Sequence, residues 1–305
     1  MDLIGSIRRF FRNTRRLRRH RNDHLLHSSE AKSRANRVNL SYWKSGGYRK
    51  QGVENFGDML SPVVVEWMLE RRGIDPDKPV RGTRHLYSLG SILFWKGSWQ
   101  DMTVWGSGCL HHPYPTRGML WKYRIMHRLR HRIDARAVRG PLTRGVFRQL
   151  WLKCPEVYGD PAILLPLFYR PAVSDVREYN VIPHHSNRDS IMKHPNAVDV
   201  LTPDWKKTVD AICSAKLNVT SSLHGIIVSE AYGIPAVLLA PGSGEAKPSL
   251  NLFKFDDYYR STGRDSYPVA KSIGEALETP PPPLPNLKAL QDGLIRAFPY
   301  DLWDA

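Results

Sequence analysis

The sequence predicts an α/β protein with two mostly parallel, doubly wound sheets on either side of a cleft. Three observations predict it. From Val38 onward, short apolar runs alternate with helix-period patterns. The alternation pauses at about 167–178, in the proline- and charge-bearing stretch "LFYRPAVSDVRE", and restarts at Tyr179. The unusual polar clusters fall at the expected carboxyl ends of strands, where ligands bind in folds of this kind.

Taken in order, "RVNLSYW" reads as a first strand and "FGDMLSPVVVEWMLERRG" as a helix from about Met59 to Arg72, closed by Gly73. "HLYSLGSIL", "TVWGSG" and "DARAV" read as strands, followed by a helix through "PLTRGVFRQLW" and then "EVYGDPAILLP". In the second half, "YNVIPHH" and "AVDVL" read as strands, "DWKKTVDAICSAK" as a helix and "LNVTSS" as a strand. The stretch "TSSLHGIIVSEAYGIP" then opens a helix at Ser221 or Ser222, a good N-cap, and ends it at Gly233 and Pro235 before the strand "AVLLAP". "PPPPLP" at 280–285 is a stiff extended connector, and "NLKALQDGLIRAF" is a last helix able to dock on either half. The expected boundaries are 1–37 for a basic arm, 38–168 and 178–279 for two Rossmann-like domains, and 280–305 for the connector and final helix.

Length and composition set limits. A chain of 305 residues with 41% hydrophobic content can bury a full core. No run approaches the roughly 18 apolar residues of a membrane span. Cys109, Cys154 and Cys213 are odd in number and widely spaced, which argues against a disulfide framework or a zinc site and fits a reducing cytoplasm. The formal net charge is +16, and residues 1–37 hold eleven Lys or Arg against three acidic residues. In that segment Leu3, Ile4, Ile7, Phe10, Phe11 and Leu17 recur at helical spacing among arginines, the pattern of a helix lying on an anionic membrane surface, here through residues 1–21. A presequence, an RNA-binding arm and a solvated tail are the competing readings. The rest of the chain stays basic enough for anionic ligands without demanding nucleic acid, and none is expected as a partner.

The candidate site residues come from the strand ends. Asn55, Gly57 and Asp58 precede the first helix; Ser107 and Gly108 follow "TVW"; Arg139 follows "DARAV"; Asp160 follows "EVYG"; His184 and His185 follow "NVIP"; Ser221, Ser222, Leu223 and His224 open the later helix. A helix N-terminus carries unpaired N–H groups and partial positive charge, so His224 sits where an anion is welcome. Arg139 opens a helix with Pro141 in its first turn and can aim its guanidinium at an anion; a surface ion pair is the plainer alternative. The turn Gly106–Gly108 offers backbone N–H groups to a phosphate. Asp58 and Asp160 each suit an acid, a base or an N-cap. Neighbours on a strand point to opposite faces, so His111–His112 and His184–His185 are poor chelating pairs, and no metal is expected. Glu230, two turns beyond His224, suits a diol contact or a hydrogen bond to a neighbouring loop. "FKFDDYYRSTG", 253–263, mixes aromatic and charged residues as a sugar-contacting loop does, with plain packing as the alternative.

Together, "NFGDMLSP", "VWGSGCL", "ARAVRGPLTR", "YGDPAILLP", "VIPHHSN", "SSLHGIIVSEAYGIPAVLL" and "FKFDDYYRSTG" resemble, in order, the polysaccharide pyruvyl transferase family, over roughly 38–265. The likeness is closest to the branch that includes exopolysaccharide ketal pyruvate transferases. The resemblance implies a GT-B-like pair of Rossmann domains, phosphoenolpyruvate as donor substrate with no cofactor, and a sugar diol as acceptor. It implies donor binding by Arg139 and by the Leu223–His224 pair. The family's arginine before that pair is Ser222 here, so one cation is missing, and Lys216, Arg188, His184 or His185 are the expected replacements. His224 is the expected proton donor, with Asp58 or Asp160 taking the hydroxyl proton. A lipid-linked saccharide acceptor would place the protein in the cytoplasm, peripheral on the inner face of the membrane.

Two rival readings remain. "SEAYGIP" also looks like the segment with which GT-B glycosyltransferases hold the ribose of a nucleotide-sugar donor. The basic arm alone would suit a membrane- or nucleic-acid-binding module.

Overall fold

The computed structural model describes residues 37–42, 54–82, 84–94, 101–113, 116–130, 132–240 and 251–304. The basic arm expected at 1–37 thus lies outside the described residues, apart from Arg37. Two parallel four-stranded sheets form the frame. The first contains β1 (Val38–Ser41), β3 (Arg84–Tyr87), β4 (Met102–Trp105) and β5 (Ile133–Ala137), side by side in that order. The second contains β6 (Asn180–Ile182), β8 (Asn218–Thr220), β9 (Ala236–Leu239) and β10 (Val269–Ala270), again in sequence order. β2 (Glu54–Asn55) and β7 (Leu201–Thr202) pair antiparallel and so join the two halves, with Glu54 opposite Thr202 and Asn55 opposite Leu201.

This is the expected α/β class with parallel sheets, but the winding differs. A doubly wound sheet reverses its strand order at a switch point. Among the described residues, both sheets progress in one direction. The halves also share a core. Helix α1 (Phe56–Glu70), the 3-10 segment Pro161–Leu167, α5 (Trp205–Cys213) and α6 (Leu223–Ala231) contribute Leu60, Val64, Ile163, Leu164, Val209, Ile226 and Ile227 to one apolar cluster. That cluster reaches Leu86 and Trp105 of the first sheet and Ile182 and Leu238 of the second. Strand alternation explains the arrangement. Ile182 and Leu238 face this shared layer, whereas Val181, Val219, Val237 and Leu239 face a smaller cluster with Ala276 of α8 (Ile273–Glu278).

Local chemistry sets the helix starts. Asn55, Asp204, Ser222 and Ser272 cap α1, α5, α6 and α8 through their side chains, each worth about 1 kcal/mol over alanine. Gly233, at φ 74°, ends α6 in the left-handed conformation that favours glycine. Two elements depart from expectation. "AVDVL" is largely irregular, with only Leu201 in β7, because its residues turn across to meet β2. "FKFDDYYRSTG" is a helix, α7 (Phe253–Ser261), rather than a loop. Phe255, Tyr258 and Tyr259 recur at three and four residues and are fully buried, which is a core-facing helical stripe. Helix α2 (Arg117–Arg130) precedes β5, α3 (Pro141–Gln149) follows it, and the one-turn α4 (Arg188–Ile191) lies between β6 and β7.

The final helix, α9 (Lys288–Ala297), docks on the first half although it follows the second. The Trp105 indole donates to the Leu294 carbonyl at 2.8 Å, and Gln291 to that of Ile163 at 2.8 Å. No helix among the described residues is long and apolar enough to cross a membrane.

Candidate active site

The β2–β7 ladder brings the start of α1 to the start of α6. The Phe56 amide donates to Val200 at 2.9 Å, which pulls the first turn of α1 across to the second half. There Gly57 lies flat against His224: a Cβ on Gly57 would sit 2.1 Å from His224 Nδ1. Phe56 meets the same ring edge-on at 6.5 Å. The other ring nitrogen, Nε2, faces Asp160 Oδ2 at 3.7 Å, and neither atom has a hydrogen-bond partner among the described residues. Asp160 is wholly buried and uses its other oxygen to cap the Pro161–Leu167 turn at the Ala162 amide. An imidazole held between two helix starts and a buried carboxylate is a proton-handling arrangement.

Asp58 is the next residue outward. Asn55 donates to it at 3.0 Å, and it faces the turn at Gly90. Burial pushes its pKa up to about 6, against the opposing pull of His224 and Asn55. His184 and His185 lie beyond the end of β6, and their rings sit 4.0 Å apart, side by side rather than on opposite faces, because the strand stops at Ile182. Burial, with Lys254, His185 and His224 nearby, drives His184 far down to about 2, so it is neutral. His185 is lowered by burial and by Lys254. Ser221 accepts from the His184 amide at 2.7 Å and bonds Asn187, tying the ends of β6 and β8 together. Ser222 caps α6 at Gly225, and Leu223 is packed in the core.

Three of the expected ligand contacts, two to the donor and one to the acceptor, are engaged within the protein. The Arg139 guanidinium is fully buried, 3.2 Å from Asp257, and donates to Ser91 and to the Cys109 carbonyl at 2.6 Å each; its Nε has no hydrogen bond. Gly108 gives it room, since a Cβ there would be 2.4 Å from the guanidinium carbon. The amides of Gly106 and Gly108 already donate to Ala137 and Gly90, and the Ser107 hydroxyl donates to Gly90. Gly108 therefore admits the arginine and Gly106 admits Pro161, with the N–H groups of both engaged. Glu230 accepts from Arg264 through both oxygens at 2.7 Å and from the Tyr258 hydroxyl at 2.8 Å. Both of its oxygens are thus engaged by α7 and the residues after it.

Among the replacements expected for the missing cation, Lys216 pairs with Glu178 and Arg188 with Asp199. Lys254, overlooked in the sequence, is better placed. It stands one turn before Asp257 on α7, on the face that Asp257 turns to Arg139 and to the start of α3, where it binds Thr143 at 2.6 Å and 2.9 Å. Lys254 makes no hydrogen bond or ion pair among the described residues. Burial and the charge of Arg139 lower its pKa to about 8, while Asp58 holds it up. The reading of 253–263 as a loop hid it; a helical reading puts residues 254 and 257 on one face. Among the described residues no group of three or more His, Cys, Asp or Glu is placed to hold a metal ion.

Comparison with known proteins adds a family. Residues 119–243 match the family described as polysaccharide pyruvyl transferase. Uncharacterized protein L143 of Acanthamoeba polyphaga mimivirus is 30% identical over 146 residues, covering 41% of this chain and 50% of that protein. The chain thus spans about half the length of the curated relative it matches. A solved structure of a functionally uncharacterized protein from Klebsiella pneumoniae is similar with a TM-score of 0.47 at 13% identity, over 74% of this chain and 88% of that one.

Proposed function

We propose, with the match of residues 119–243 to the polysaccharide pyruvyl transferase family as premise, that the protein transfers pyruvate from phosphoenolpyruvate to two hydroxyls of a saccharide, closing a ketal. The observation that carries this reading is His224, held between Gly57 and Asp160 at the meeting of two helix starts. The matched segment includes His224, Asp160, His184 and Arg139; Asp58 and Lys254 lie outside it and come to the site through the fold.

The donor carries a carboxylate and a phosphate, which suit the N-terminus of α6 and the Lys254 ammonium. Arg139, already engaged by Asp257, acts as a fixed positive charge behind Lys254. His224 delivers a proton to C3 of the enol, which becomes a methyl group and leaves C2 electrophilic. One saccharide hydroxyl adds to C2, losing its proton to Asp58. The C2–O bond to phosphate then breaks, phosphate leaves with the electron pair and takes up the proton held by Asp58, and the second hydroxyl closes the ring, its proton restoring that given up by His224. Asp160 orients His224. Neutral His184 and His185 line the acceptor side as hydrogen-bonding groups.

The nucleotide-sugar reading has less support, because both oxygens of Glu230 are taken by Arg264 and Tyr258. The test is phosphate release from phosphoenolpyruvate by the purified chain, with and without glucosyl, galactosyl and mannosyl acceptors followed by mass spectrometry. Acceptor-dependent release with a pyruvyl ketal on the sugar is expected, and His224→Ala should abolish it in a folded protein. Transfer from a sugar nucleotide, with phosphoenolpyruvate ignored, would overturn the reading.

A further inference from the structure

We propose that the exposed aromatic face formed by α2 and the end of α3 is a docking surface for an anionic lipid bilayer. It is independent of the reaction assigned above and of the N-terminal arm. Trp121 is 54% exposed, Ile125 51% and Trp151 57%. Trp121 and Ile125 are four residues apart on α2 and share a face. Trp151 lies just past α3 and meets Trp121 edge-on at 5.3 Å. Arg124 fixes the pair: its Nε donates to the Gln149 carbonyl at 2.6 Å, and its guanidinium lies 4.3 Å from the Trp151 ring centre and 5.9 Å from that of Trp121. Trp151 has φ 59°, a conformation that favours glycine, so neither burial nor backbone preference accounts for a tryptophan there.

Charge identifies the occupant. Between Asp101 and Asp134 the sequence contains no acidic residue, and it carries Arg117, Lys122, Arg124, Arg128, Arg130 and Arg132. Exposed indoles among cations are the chemistry of the interface between acyl chains and anionic headgroups, where the ring is half immersed and the charges meet phosphate. A symmetric pairing of two copies through this face would oppose like charges, which disfavours a second chain as the occupant.

The experiment is co-flotation of the full chain with phosphatidylcholine vesicles and with vesicles in which about one-third of the lipid is phosphatidylglycerol. Stronger binding to the anionic vesicles is expected, falling as salt rises. The double variant Trp121→Ser with Trp151→Ser should bind about tenfold more weakly, with Ile125→Ser intermediate, and with melting curves unchanged because these side chains are exposed. Binding equal to that of the unaltered chain would overturn the proposal and leave any membrane affinity to the arm. Equal binding to both vesicle types would overturn it too. A dimer that the double variant converts to monomer would assign the face to a second copy instead.

Discussion

Asp58 and Lys254 give the site its expected pH behaviour. In the proposed reaction Asp58 must be ionised to accept a proton and Lys254 protonated to hold the donor; burial raises the first to about 6 and lowers the second to about 8. We expect kcat/KM to rise with pH through about 6 and to fall through about 8. Lys254→Arg should move the alkaline limb upward, and Lys254→Gln should raise the KM for phosphoenolpyruvate about tenfold or more. Asp58 also sets a stability trend. Its folded pKa is raised from an ordinary 3.8, so between about 4 and 6 the native state binds the extra proton and stability falls as pH rises. Asp58→Asn should therefore gain roughly 1–2 kcal/mol in urea unfolding at pH 7 while losing most turnover. Asp58 was legible from the sequence because "NFGD" reads as a helix start. Lys254 was not, because its meaning depends on Arg139 and Asp58, which are distant in sequence.

At the scale of elements, two pieces of geometry separate scaffold from chemistry. Glu230 joins α6 to Arg264, beyond the end of α7, through a buried ion pair with side-chain exposures of 1% and 10%. Glu230→Gln leaves the Arg264 charge without its partner and should cost about 3 kcal/mol of unfolding free energy. The folded fraction should keep its KM for the acceptor, since both Glu230 oxygens are already bonded within the protein; a raised acceptor KM would return it to the substrate. Gly57 makes the opposite prediction. A methyl group there collides with the His224 ring, so Gly57→Ala should cost about a hundredfold in kcat by displacing that ring, with circular dichroism reporting an intact fold. The helical patterns of α1, α3, α5 and α6 are readable because α1, α5 and α6 start at a side-chain N-cap, α3 starts at Pro141, and each carries apolar residues at helical spacing. α7 was misread because its polar residues, Lys254, Asp257 and Arg260, interrupt a stripe that only burial makes visible.

At the scale of the whole molecule, the halves are held by parts that cross between them. The last residues run back over the first half, where Leu294, Phe298 and Trp303 are buried and Trp105 stacks edge-on against Phe298 at 4.7 Å. A chain ending at Pro285 exposes that surface, including the Trp105 indole that bonds Leu294. It should lose its cooperative thermal transition, although the residues removed lie far from His224 in sequence; a sharp transition near that of the full chain would show α9 to be dispensable.

Sequence alone determined the local features: alternating strands and helices, the helix start at Ser222, the stop at Gly233 and the placement of Asp58, Asp160 and His224 at element ends. Propensity, capping and hydrophobic period act within a few residues, so they can be read along the chain. Tertiary structure decided the single winding direction of each sheet among the described residues, the shared helical core, the enclosure of Arg139 by Asp257 and the charge coupling of Lys254 to Asp58. Those outcomes depend on which distant surfaces bury one another and which charges then lose water, and a burial or desolvation energy has no value until the partner is in place.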